Sequence, residues 1–214
     1  MKYFDTLPRE EQMDPFVYRL LHNWHRVLRS YEVEWTEVTK NRPKENFLPY
    51  VYNEQAQIGL LAVAGKGIGG FPFIEFNQDK YTWSGRGQQD LEIISADHKI
   101  HKIWSIEAKY LEIEKSTSNL PLRLKNKMKS AIHDVKSLPN RKRGRSMAIV
   151  FFRPWGYKRG SAHEDFSRYV KSLDRQSLGC DFLAYHLCQK KILNQPKHPH
   201  PDSPGIAILG KLVH

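Results

Sequence analysis

Three charged residues near the middle of the chain have the types and spacing of a hydrolytic metal site. Glu107 and Lys109 stand two apart in IWSIEAKYL, residues 103–111. The alternation of that run predicts a β-strand, so both side chains leave one face while Ile106, Ala108 and Tyr110 leave the other. Asp90 opens a second strand-like stretch, DLEIIS, separated from the first by a turn at residues 97–99. Paired as a hairpin, the two stretches bring the Asp90 and Glu107 carboxylates close together. Carboxylates held that close repel unless a cation lies between them. Mg²⁺ or Mn²⁺ suits such oxygen ligands and completes its shell with water and substrate phosphate. A lysine beside the bound water can orient it, deprotonate it, or neutralise charge developing on a phosphorane. The competing reading of the same residues is a structural ion pair on a strand face.

The elements that must position these residues are legible in outline. Asp14 and Pro15 predict a helix start. Val17, Leu20, Leu21, Trp24, Val27, Leu28 and Tyr31 follow at helical spacing, with Arg19, His22, His25, Arg26 and Arg29 on the other faces. A second helix is expected over residues 53–64, ended by Gly65 in GKGIGG; no GxxxxGK[ST] phosphate loop is present. FPFIEF (71–76) reads as a strand with a turn at residues 77–80, ahead of the two strands that carry the acids. A third helix is expected from about Pro121 to Leu138. Its apolar stripe is Leu124, Met128, Ala131, Ile132, Val135 and Leu138, and Arg123, Lys125, Lys127, Lys129 and Lys136 make a basic remainder. MAIVFF (147–152) predicts a strand covered on both faces. A short helix at 164–173 and a strand at 181–188 follow. The resulting fold class is α/β, a mixed sheet flanked by helices. The organisation expected is an N-terminal helical extension over residues 1–52, a core over 53–195, and a Pro/His connector with an apolar terminal strand over 196–214.

Charge points to the partner. Thirty-four Lys and Arg against twenty-three Asp and Glu leave a net charge of +11 in 214 residues. A surplus of that size favours an anionic partner, most commonly nucleic acid. Hydrophobic residues make up 40% of the chain, which predicts a packed domain rather than a disordered tail. No apolar run is long enough to span a bilayer as a helix. The first residues, MKYFDTLPREEQ, lack the apolar stretch of a secretory signal, and the chain has two cysteines, Cys180 and Cys188. Both features predict a cytoplasmic protein without a disulfide framework. His98 and His101, and His198 and His200, fit no zinc pattern. Arg141, Lys142, Arg143 and Arg145, in the loop NRKRGR, are candidates to clamp a phosphate backbone, together with Lys125 and Lys129 of the third helix. The aromatics of Pro154-Trp155-Gly156-Tyr157, beside Lys158 and Arg159, suit either base stacking or loop anchoring.

The segment DLEI…WSIEAKY, set in a helix–strand–strand–strand–helix–strand order, resembles the PD-(D/E)XK nuclease superfamily, which includes restriction endonucleases. The resemblance covers roughly residues 54–188, and Gln89 stands where the motif name has proline. It implies a restriction endonuclease-like core in which Asp90 and Glu107 bind the divalent ion, the Ala108 carbonyl adds a ligand, and Lys109 serves the attacking water. It further implies that Glu54, at the start of the preceding helix, orients water or helps hold metal. The plain alternative for Glu54 is a carboxylate favoured by the helix dipole. Gln57 lies one turn further along the same helix. Glu92 shares the Asp90 face in a secondary place, and Glu75 and Asp79 are reserve candidates for the upstream acid. By the same resemblance the substrate is DNA, the chain acts as a homodimer or with a partner protein, and the setting is restriction, phage defence, transposition or repair. The alternative function is a non-catalytic nucleic-acid-binding or interaction subunit on the same fold, in which the first helix and the terminal GIAILGKLV dock a partner.

Overall fold

The computed structural model describes residues 13–41, 53–77, 88–97, 100–138, 144–158, 160–189 and 204–213. The expectations placed on His98, Asp79, Arg141, Lys142, Arg143, Arg159, His198 and His200 lie outside the described residues, as do those on the side chains of Glu75 and His101.

Helix α1 (Pro15–Asn41) begins where the cap predicts: the Phe16 N–H donates to Asp14 Oδ1 at 2.8 Å. Val17, Leu20, Leu21, Trp24 and Leu28 are fully buried, as the stripe requires, while Tyr31 lies at the rim, 37% exposed. Helix α2 (Glu54–Gly67) is capped by Asn53, whose side chain accepts from the Ala56 N–H. It runs three residues past the expected end, through Gly65, and hands directly into strand β1 (Gly70–Asn77). That tight return needs glycine. A Cβ on Gly70 would lie 2.9 Å from the Gly65 carbonyl oxygen and 2.6 Å from the Ile93 side chain.

Strands β2 (Gln88–Asp97) and β3 (Ile100–Glu114) complete an antiparallel meander with β1. Helix α3 (Leu120–Ser137) then carries the chain over to β4 (Arg145–Trp155), which pairs parallel to β3. Helices α4 (Ala162–Ser172) and α5 (Arg175–Leu178) lead to β5 (Phe182–Leu187), and β6 (Gly205–Val213) ends the described chain. The six strands form one mixed, open sheet in the order β1-β2-β3-β4-β6-β5, antiparallel at every neighbouring pair except β3 with β4.

Helices cover both faces. Phe16 of α1 stacks on Trp104 of β3 with ring centroids 4.9 Å apart, and Gly65 of α2 packs on Ile93, which pairs with Trp104. These residues mark one face. Leu111 points the opposite way and pairs with Phe152, which meets Phe166 and Tyr169 of α4 edge-on at 6.0 Å. Helix α3 joins α4 on this second face through Lys109. The core between the layers is continuous, from Leu20 and Trp24 to Ile206 and Ile208. The segment GIAILGKLV lies inside the sheet, paired with β4 over residues 207–213 and with β5 over residues 205–210.

Candidate active site

The site forms where the β2–β3 ladder ends. Leu91 pairs with Ile106, so Asp90 arrives level with Glu107, the position the hairpin register predicts. Beyond that point β3 continues beside β4 alone as far as Glu114. Among the described residues no strand pairs with its other edge from Glu107 onward, and the acids gather along it. Asp90 Oδ2 accepts the Ala108 N–H at 2.7 Å. Glu54, brought in by the first turn of α2, accepts the Tyr110 N–H, the next amide along the same edge. The N–H and C=O of one strand residue point to the same edge, so the Ala108 carbonyl also faces Asp90.

Four acids and one ammonium share this corner. Burial pushes the Glu107 carboxyl up to about 8, and the adjacent Asp90, to which it hydrogen-bonds, adds to that. Glu107 is 4% exposed, and its Oε1 is buried with no hydrogen-bond partner. Glu54 is also held above the usual carboxylate range, by burial first and by the Asp90 charge second. Burial opposes the charge on Lys109, but the hydrogen bond and charge of Asp134, with Asp90 and Glu54 behind it, outweigh burial and hold its ammonium above its ordinary range. The Lys109 Nζ lies 2.9 Å from Asp134 Oδ2. The charge of Lys127 of α3 also acts on Glu54, opposing the rise of its carboxyl.

Asp90, Glu107, Lys109, Ala108 and Glu54 are thus brought together from α2, β2 and β3. Asp134 completes the group and was not among the expected residues. The signal for it was an acid in an otherwise basic helix, seven residues after Lys127 and so on the same side of α3. Glu92 is buried on the Asp90 face one pleat along, its carboxyl raised by that burial. Gln57 is fully buried beneath α2.

The donors present fit a hard divalent ion. They are all oxygen: two neighbouring carboxylates, of which the Glu107 Oε1 is buried without a hydrogen-bond partner, and one backbone carbonyl. Among the described residues no three His, Cys, Asp or Glu side chains are grouped to hold a metal. Two carboxylates are nevertheless within the usual protein share for Mg²⁺, which keeps several waters or phosphate oxygens.

Of the expected nucleic-acid contacts, Lys125 and Lys129 are exposed on α3. Arg145 is ion-paired with Asp14, and its guanidinium lies 5.5 Å from the Trp104 ring centroid, which ties it to the base of α1. Tyr157 is 5% exposed, under Lys115 and against Phe166, and so anchors its loop; Trp155 remains 36% exposed. Cys180 and Cys188 are both buried.

A second polar cluster was not expected. Glu32 and His186, both fully buried, meet at 2.7 Å between α1 and β5, and His25 Nδ1 lies 3.0 Å from His186 Nδ1. Two signals marked it: an acid four residues after Leu28 on the apolar stripe of α1, and a histidine in the apolar strand FLAYHL. No helix among the described residues is long and apolar enough to cross a membrane. Compared with protein-family models, with curated proteins and with solved structures, the chain matches none.

Proposed function

We propose that this chain is a Mg²⁺-dependent nuclease that hydrolyses phosphodiester bonds in DNA, on a restriction endonuclease-like core of α2, β1, β2, β3, α3 and β4. The single observation that carries the reading is the end of the β2–β3 ladder. There Asp90 stands level with the buried Glu107 and accepts the Ala108 N–H, while Lys109 leaves the same face of β3. Asp90, Glu107 and that carbonyl would hold Mg²⁺ or Mn²⁺. The ion, when bound, supplies Lewis acidity at the phosphate and a water of lowered pKa. The chain's own part is positional and electrostatic. Asp90 is fixed by the Ala108 N–H and Glu54 by the Tyr110 N–H, so neither carboxylate needs to reorganise. Lys109 presents a cation beside the attacked phosphate. Lys125 and Lys129 contact the backbone without regard to sequence, in keeping with the surplus of +11.

One observation favours a second reading. Lys109 is already ion-paired with Asp134, which a non-catalytic nucleic-acid-binding module would use as a structural bridge between β3 and α3. Calorimetry of Mg²⁺ binding separates the two, on wild type and on Asp90→Ala/Glu107→Ala, beside cleavage of plasmid, single-stranded DNA and RNA. The nuclease binds the ion and cuts, and loses both in the double variant. Wild type that binds DNA but takes up no Mg²⁺, with a double variant that differs in stability alone, leaves the binding module.

A further inference from the structure

We propose that Asp134 is a positioning residue for Lys109, and that α3 thereby couples nucleic-acid docking to the placement of an ammonium beside the acid pair. The inference rests on the nuclease reading of the site and deepens it. Lys109 leaves β3 on the same face as Glu107, into the layer covered by α3. A lysine has a flexible four-carbon stem, so an untethered ammonium would sample many positions. Here its Nζ meets Asp134 Oδ2 at 2.9 Å. Aspartate is short, and the helix that bears it cannot slide: Leu120, Leu124, Met128, Ala131 and Val135 are all buried against the sheet. The ammonium is therefore fixed by a rigid element rather than by its own flexible stem.

The same helix carries exposed cations. The charge of Lys127, two turns before Asp134, favours the ionised form of Glu54. Lys125 and Lys129 are exposed on the adjoining surface. One rigid body thus holds the backbone-contacting cations and the carboxylate that sets where Lys109 stands. Both members of the pair are partly exposed, 24% for the Lys109 side chain and 36% for Asp134. As a source of stability such a pair is worth little. A role in geometry predicts a different pattern from a role in stability.

The test uses the full chain with Asp134→Asn, Asp134→Glu and Lys109→Met. It reads kcat and KM for Mg²⁺-dependent plasmid cleavage, Mg²⁺ affinity by calorimetry, thermal unfolding, and acylation of Lys109 followed by mass spectrometry. We expect Asp134→Asn to lower kcat by about 10- to 100-fold, the usual penalty for a misplaced group. KM and Mg²⁺ affinity stay near wild type, and Lys109 becomes more reactive to acylation. Asp134→Glu restores most of kcat. An Asp134→Asn variant with wild-type kcat, where Lys109→Met is inactive, overturns the inference and leaves the nuclease reading standing. A fall in thermal stability with kcat unmoved does the same. Wild type that binds DNA but cuts no substrate with Mg²⁺ removes the nuclease reading, and the inference with it.

Discussion

Replacing Glu107 with glutamine should stabilise the metal-free protein, and only at neutral to alkaline pH. Burial and the neighbouring Asp90 push the Glu107 carboxyl up to about 8, against 4.5 for an ordinary glutamate. Between those values the folded state holds the proton and the unfolded state has released it. Stability therefore falls as pH rises through that window. Below it the burial costs nothing electrostatic. Each pH unit of the window is worth about 1.4 kcal/mol, so the burden is about 1 kcal/mol at pH 5 and about 4 kcal/mol at pH 8. The second figure is an upper one, since water entering along that edge of β3 would screen the pair. Glutamine carries no charge, and its amide still donates to Asp90 as the protonated acid does. Urea unfolding of wild type and Glu107→Gln at pH 5 and pH 8, with chelator present, measures the difference directly. For a chain of this size, 4 kcal/mol corresponds to a rise in Tm of about 8–16 °C. A variant no more stable than wild type at pH 8, or more stable by the same amount at both pH values, would refute the assignment of Glu107 as a carboxyl strained by burial and by Asp90.

Three further outcomes follow from the same geometry. Because Mg²⁺ must displace the Glu107 proton, its affinity should weaken by about tenfold for each pH unit below 8, with proton release visible in calorimetry across buffers of different ionisation heat. Glu32→Gln weakens the hydrogen bonds that the buried carboxylate accepts from His186 and the Gln189 N–H in the α1–β5 interface and should cost about 1–3 kcal/mol by urea unfolding, as disturbing a buried polar network does; a variant as stable as wild type would refute it. Lys125→Glu/Lys129→Glu should weaken DNA binding and lower the slope of log K against log salt by about 0.9 for each phosphate no longer neutralised, read by fluorescence anisotropy over a salt series.

The chain announces its local structure better than its long-range pairings. Asp14, Asn53 and the period of Val17 to Leu28 place α1 and α2 because caps and stripes are properties of neighbours in sequence. The acid pair is legible for the same reason: one turn separates β2 from β3, so register and alternation suffice to set Asp90 against Glu107. Asp134 is not, because its partner lies on another element, and whether α3 turns that flank toward Lys109 depends on how the helix settles on β3 and β4. The pairing of Glu32 with His186 is hidden likewise. Each residue breaks an apolar pattern, but nothing local says that the two breaks meet. The place of β6 is the largest gap, since hydropathy marks a buried strand without naming its neighbours.

That place has a bearing on how the molecule is made. On a ribosome, β4 and β5 are finished before β6, yet β6 is what joins them. Until it arrives, one edge of MAIVFF has no ladder to complete, and nothing in the sheet holds β5 beside it. Such an edge is an invitation to any other extended chain nearby. Closing the sheet also requires a contact between segments about sixty residues apart, which slows folding. This half of the molecule should therefore mature late and lean on chaperones, while the meander bearing the acids can assemble as it emerges. A chain stalled before residue 205 would carry its acid pair and still be a substrate for degradation.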